Sequence, residues 1–145
     1  MQSPLIRRLR MEDTDAINEI YAGITREPAG DDFKTIVAKQ VQSENDISFV
    51  AEIDGRVAGY MIGSMLLGTF GIKNSAWLSM MGVDPRFMGE GIGAKLAEAF
   101  FDFVKSQGLS AVYTSVRWDS TDLLSYFKRL GFDRSNYINL LKRLD

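Results

Sequence analysis

The sequence predicts an α/β fold: a mixed central sheet flanked by helices, in a chain of 145 residues. Three observations predict it. Ile47-Ser48-Phe49-Val50-Ala51-Glu52-Ile53 alternates like a strand and runs into Asp54-Gly55, a strong two-residue hairpin signal. Ala76–Val83 is apolar on both faces, as a central strand is. Segments with helical spacing lie on either side, so hairpin and crossover connections share one sheet and its strands must be both antiparallel and parallel.

Each element has its own justification. Leu5–Leu9 is a short strand, and Met11-Glu12-Asp13-Thr14-Asp15 is a helix entrance, with acids near the positive helix end. Ala16, Ile17, Ile20, Tyr21 and Ile24 keep helical spacing until Pro28-Ala29-Gly30 breaks it. Asp31-Asp32 opens a second helix with Phe33, Ile36, Val37 and Val41 on one face. After the hairpin turn, Val57–Leu67 returns, and Gly59 and Gly63 within it predict a bulge or a close backbone approach. Gly68–Asn74 reads as a loop.

Past Val83, Asp84–Gly89 is a loop and Gly91–Gln107 a helix, with Ile92, Leu96, Ala99, Phe100 and Phe103 inward and Gly108 closing it. Ala111–Val116 is a strand, Thr121–Leu130 a helix closed by Gly131, and Tyr137–Leu144 offers one or two last strands. The chain shows no repeat and no linker. Its length fits one domain over residues 1–145.

Composition narrows the chemistry. There is no cysteine, which removes disulfides, thiolate metal sites and a cysteine nucleophile. There is no histidine, which removes Ser-His-Asp triads, histidine bases and almost every zinc enzyme, so no metal site is expected. The net charge of −2, without a Lys/Arg stripe, argues against nucleic acid as a partner. No apolar run approaches the ~20 residues of a membrane span, and no signal segment follows Met1, so the expectation is a soluble cytoplasmic protein. Met61, Met65, Met80 and Met81 read as core filler, while Trp118, just past a strand end, is either surface or cleft lining.

The sharpest local signal is Arg86-Phe87-Met88-Gly89-Glu90-Gly91-Ile92-Gly93-Ala94, three alternate glycines where a loop becomes a helix. Without Cβ atoms the backbone curls tightly and comes close to a bulky anion. The first helical N–H groups have no partner inside the helix, and with the dipole they suit a pyrophosphate. The segment lacks the Gly-Lys-Ser/Thr ending of a P-loop. Gly89-x-Gly91-x-x-Ala94 does match the dinucleotide fingerprint. However, the acidic residue expected about twenty positions on is absent around Ser110–Tyr113.

Val83-Asp84-Pro85-Arg86-Phe87-Met88-Gly89-Glu90-Gly91-Ile92-Gly93, together with the Asp54-Gly55 hairpin and Leu130-Gly131-Phe132, resembles the GCN5-related N-acetyltransferase (GNAT) superfamily over nearly the whole chain. The resemblance implies acetyl-CoA as donor, an amine-bearing small molecule or peptide as acceptor, and fourth and fifth strands splayed to admit the donor. It allows a homodimer. Main-chain groups of Met81, Gly82 and Val83 would pair with the pantetheine arm as a further strand, and Met88, Gly89, Glu90, Gly91, Ile92, Gly93 and Ala94 would hold the pyrophosphate. The family prefers Gln or Arg where this chain has Met88; Arg86 is the nearest cation.

The resemblance also shows what is missing. The family's acid, a Tyr four residues before the Gly-Phe pair, is here Phe127, counted instead among the donor contacts. Tyr126, about 100° around the helix, is the catalytic candidate. Ser115 and Ser120 stand where some members carry Glu and Asn. Asp119 is the candidate base, with capping of the next helix as its competing role. Asp122 lies nearby, and Glu27, Asp31 and Asp32 either offer negative charge that steers a cationic amine or are simply a solvated helix start. Tyr137 is a further hydroxyl. Without cysteine, direct attack by the amine in a ternary complex is the mechanism left; the alternative is a non-catalytic acyl-CoA-binding or regulatory module. Neutralising a lysine amine of pKa about 10.4 costs roughly 4.6 kcal/mol at pH 7, an α-amine only about 1–1.4, so a site without a strong base suits the α-amine better.

Overall fold

The computed structural model describes residues 3–25, 31–66 and 74–144. The chain forms two compact units, Met1–Ser115 and Val116–Asp145.

The first unit is one five-stranded sheet with helices on both faces. Its strands are β1 (Leu5–Arg8), β2 (Asp46–Ile53), β3 (Arg56–Leu66), β4 (Ser75–Val83) and β5 (Val112–Thr114), side by side in chain order. The first three pairings are antiparallel, whereas β4 and β5 run parallel. The parallel step needs a crossover, supplied by α3 (Ile92–Ser106). α1 (Thr14–Thr25) and α2 (Asp31–Gln42) precede β2.

Pleating sends alternate residues to opposite faces. Val50, Tyr60 and Ile62 join Ile17 and Ile20 of α1 and Val37 of α2 in one buried cluster. The other face packs on α3: Phe49 meets Phe103 edge-on at 6.0 Å. A Cβ on Gly63 would lie 2.6 Å from the Phe100 ring and 2.5 Å from the Trp77 carbonyl oxygen. The close approach predicted at Gly63 is therefore real: the ring takes the space a side chain would fill. Arg7 fastens the start of α1 to the sheet. It donates to both oxygens of buried Asp13 at 2.8 and 2.9 Å and to Glu52 at 2.9 Å.

The turn is as predicted: Asp54 and Gly55 take φ of 51° and 78°, the mirror-image turn that suits a twisted hairpin. Two bulges follow from the registers. Ala51 faces Gly59 while Glu52 faces Val57, so Ala58 is the extra residue, and its carbonyl accepts from the Asp84 amide at 2.8 Å. Ile62 faces Met80 while Gly63 faces Leu78, so Ser79 is the extra residue of β4.

Several expectations need correction. Ile36 is exposed, and Ala97 and Val104 are buried on α3 where Ala99 is only half-buried, because the core-facing arc of α3 is wider than one stripe. β5 is shorter than Ala111–Val116 because its ladder ends at Leu78–Thr114, where the Ser79 bulge bends β4. Of the four methionines read as core filler, Met61 is fully buried and Met65, Met80 and Met81 are half-buried. The Pro28-Ala29-Gly30 break and Glu27 lie outside the described residues, as do residues 67–73 of the expected loop and the side chains of Phe33, Asp31 and Asp32.

The second unit holds α4 (Thr121–Arg129) and a tail. Gly131, at φ 97°, closes the helix as expected, and the Phe132 amide returns to the Phe127 carbonyl at 3.0 Å. The expected strands at Tyr137–Leu144 do not form among the described residues. The Ser135 hydroxyl donates to the Tyr137 carbonyl and accepts from the Tyr137 amide, both at 3.1 Å. This local turn uses backbone groups that a ladder would need.

Candidate functional site

The Ser79 bulge divides β4. Ala76, Trp77 and Leu78 pair with Val112, Tyr113 and Thr114, and the Thr114 hydroxyl donates to the Leu78 carbonyl at 2.8 Å as the last rung. From Met80 to Val83 the strand still pairs with β3 but has no partner on its β5 side among the described residues. A bulge bends its strand and increases the local twist, which accounts for the divergence. The predicted splay of these two strands is present, with Met81, Gly82 and Val83 on the bare stretch.

The chain then makes a short 3-10 turn, Pro85–Phe87, and the glycine loop. Gly89 and Gly91 both take positive φ, 86° and 77°, with no atom near where a Cβ would be. An L side chain is disfavoured there by conformation alone, by roughly 1–2 kcal/mol. Gly91 is the N-cap of α3; it brings no side-chain bond, and the first turn carries no acid. Among the described residues, the leading amides of α3 therefore have no cap from Gly91 or from an acid in the first turn. Met88, Glu90 and Ala94 are exposed and Gly93 half-buried, while Ile92 turns its side chain into the core and offers the site only its amide.

Arg86 does not take up the position of a free phosphate partner. Its guanidinium donates to Asp84, at 2.8 Å from Nη2, and the same carboxylate accepts the Arg86 amide at 3.0 Å. The Arg86 hydrogen bond holds the Asp84 carboxyl below the usual carboxylate range against the opposing effect of burial. Beside this pair, on the α1 face, is a cavity of about 490 Å³ with Arg7, Glu12, Glu19 and Arg56 in its wall. Its charges are mixed in sign and Arg7 is already held by Asp13 and Glu52, whereas the glycine loop presents backbone N–H groups.

Three predicted residues belong to the second unit. Phe127 is buried, its ring edge-on to Tyr126 at 5.3 Å and Phe132 at 5.2 Å. The Tyr126 hydroxyl is buried with no hydrogen-bond partner among the described residues, and burial pushes its pKa up. Asp119 does not cap α4: Ser120 is the N-cap and its side chain makes no capping bond. Instead Arg117 holds Asp119 through two bonds of 2.9 and 3.0 Å, which keep the carboxyl below its usual range. A pair within two residues outcompeted the helix end. Trp118 is 87% exposed.

Sequence reasoning missed the Ser79 bulge and the role of Gly82. A glycine inside an apolar strand is a known sign of close approach, and Gly82 carried that signal.

A sheet that opens between its fourth and fifth strands beside a glycine-led helix front defines a class, the acetyltransferases. The chain belongs to the acetyltransferase (GNAT) family, whose family model matches residues 14–132 and so runs across both units. Among solved structures it is similar to AAC(6')-Iy, seen with the bisubstrate analogue CoA-S-monomethyl-acetylneamine. The two are 16% identical, cover 99% and 100% of the respective chains and superpose with a TM-score of 0.83. It is similar also to the aminoglycoside 6'-N-acetyltransferase AAC(6')-Ih from Acinetobacter baumannii, at 12% identity, 99% coverage of each chain and a TM-score of 0.85. A protein of Bacillus halodurans C-125 described as a transcriptional regulator matches at 18% identity, 98% and 100% coverage and a TM-score of 0.80. At these identities the likeness is one of fold. No described helix is long and apolar enough to cross a membrane.

Proposed function

We propose that residues 1–145 act as one N-acetyltransferase domain that takes the acetyl group from acetyl-CoA and passes it to an amine on a small molecule or peptide. The observation that carries this is the bare stretch Ser79–Val83 next to the uncapped front of α3. The strand offers main-chain donors and acceptors to a pantetheine arm through Met81, Gly82 and Val83. The amides from Gly89 to Ala94, with Met88 at the rim, suit its pyrophosphate. Phe127 is assigned to the donor side on the family resemblance alone.

Transfer is direct. The amine nitrogen attacks the thioester carbonyl and the C–N bond forms, the C–S bond breaks, the thiolate takes up a proton and leaves as the thiol, and the nitrogen gives up one proton to the base or to water. No cysteine exists to hold the acyl group in between. Tyr126 is assigned as proton donor to the thiolate: its raised pKa keeps the phenol protonated at neutral pH. Asp119 as base has less support, because Arg117 weakens it. A thiol of pKa about 8.5 leaves without an acid, only more slowly; a general acid contributes about 10²–10⁴-fold.

Two measurements test the proposal. Calorimetry with CoA should give saturable heat, and acetyl-CoA should release thiol with at least one member of an amine panel holding α-amines, polyamines and aminoglycosides. A folded protein that gives no heat at millimolar CoA overturns the reading. CoA binding without turnover on any amine selects the second reading, an acyl-CoA-binding module, which Phe127 and Ser115 at the usual acid and base positions favour. Sedimentation tests the homodimer that the resemblance allows.

A further inference from the structure

Gly82, in the bare half of β4, faces Tyr60 across the ladder. A Cβ on Gly82 would lie 2.9 Å from Tyr60 Cε1 and 3.0 Å from Tyr60 Cζ. The ring therefore leaves its own strand and lies over the glycine, with Cζ, the carbon that bears the hydroxyl, already above β4. The hydroxyl, one bond beyond Cζ, therefore lies over β4 beside Gly82. Ile24 of α1 closes over the same spot, its Cδ1 3.0 Å from the would-be Cβ. Gly82 is small because Tyr60 must pass over it.

Tyr60 is only 2% exposed, the largest of the fully buried side chains among the described residues. Burial, reinforced by the neighbouring Tyr21, pushes its pKa up to about 12. At neutral pH it is a fixed donor with one proton to give. Its ring lies over the stretch of β4 where the acyl donor's arm is proposed to run, and that arm carries two amide carbonyls.

We infer that the Tyr60 hydroxyl donates a hydrogen bond to an amide carbonyl of the donor's pantetheine arm, selecting ligands that carry the arm over bare nucleotides. This rests on the acetyl-CoA reading above and adds a side-chain contact to its main-chain ones. Tyr60 is placed as a binding and specificity residue.

Tyr60→Phe keeps the ring and removes the oxygen. Calorimetry is run with CoA and with ADP, which keeps the pyrophosphate and lacks the arm. The expected result is a CoA Kd raised roughly two- to tenfold, the range one neutral hydrogen bond covers, with the ADP Kd and Tm unchanged. Gly82→Ala, which displaces the ring and the hydroxyl it carries, should likewise weaken CoA more than ADP, and it carries the test if the first variant does not fold. Equal CoA affinity in Tyr60→Phe overturns the inference, as does an equal loss for both ligands. Wild-type protein that binds no CoA overturns the acetyltransferase reading itself, a result distinct from wild-type binding that Tyr60→Phe leaves intact.

Discussion

The two halves of β4 share a strand and differ in everything around it. Before Ser79 the strand is ordinary core, paired on both sides, with Ala76 and Leu78 buried. After Ser79 it is paired on one side only, and Tyr60 and Ile24 cover Gly82 from the α1 face. One extra residue makes the difference. The first half anchors the strand and fixes where it stops being core; the second is left with backbone groups to offer. Rigidity in one half is a condition for presenting the other.

The comparison can be broken most forcefully at Gly63, opposite Leu78. Alanine there would place its Cβ 2.5 Å from the backbone oxygen of Trp77, which cannot rotate away, and 2.6 Å from Phe100. Overpacking commonly costs about 1–3 kcal/mol, and this site should reach the top of that range. The expected fall in Tm is on the order of 10 °C by calorimetry; an unchanged Tm would show that the paired half yields easily.

The bare half has a pH signature. The Tyr60 phenol titrates near 12 in the fold and about 10 when unfolded, so the fold favours the neutral form. The stability this gives is complete below pH 10 and lost as pH climbs from 10 through 12. Two units correspond to at most roughly 3 kcal/mol. Denaturant midpoints across that window should fall less steeply in Tyr60→Phe than in wild type.

Smaller effects sharpen the boundary. Gly91→Ala meets no neighbour but must hold a left-handed φ. A stability loss of about 1–2 kcal/mol is expected, with CoA affinity falling more than Gly63→Ala makes it fall. Thr114→Val removes the last rung to Leu78 and should cost about 1 kcal/mol, read by urea unfolding, with faster amide exchange in β5.

Local chemistry was legible in the sequence. Asp54-Gly55 specified its turn, and Gly59 and Gly63 announced close approaches, because a two-residue turn and a missing Cβ act within their own neighbourhood. The glycine loop before α3 was legible for the same reason. What depends on register was not. Ser79 is an extra residue only relative to Ile62 and Gly63, seventeen and sixteen positions earlier in the chain, and Tyr60 reaches Gly82 only in that register. Asp119 shows a second limit: two local roles competed, and composition does not rank an Arg117 pair above a helix cap. In the tail, alternation resembled a strand, while Ser135 made the turn that prevents one.

The start of α3 has a practical consequence. Gly91 brings no side-chain cap and the first turn has no acid, so the Ile92, Gly93 and Ala94 N–H groups have neither an intrahelical partner nor a cap from Gly91. Whatever anion settles there becomes the missing lid of the helix, and those few protons should then exchange with deuterium more slowly. Their exchange rates would report donor occupancy without any acceptor being known.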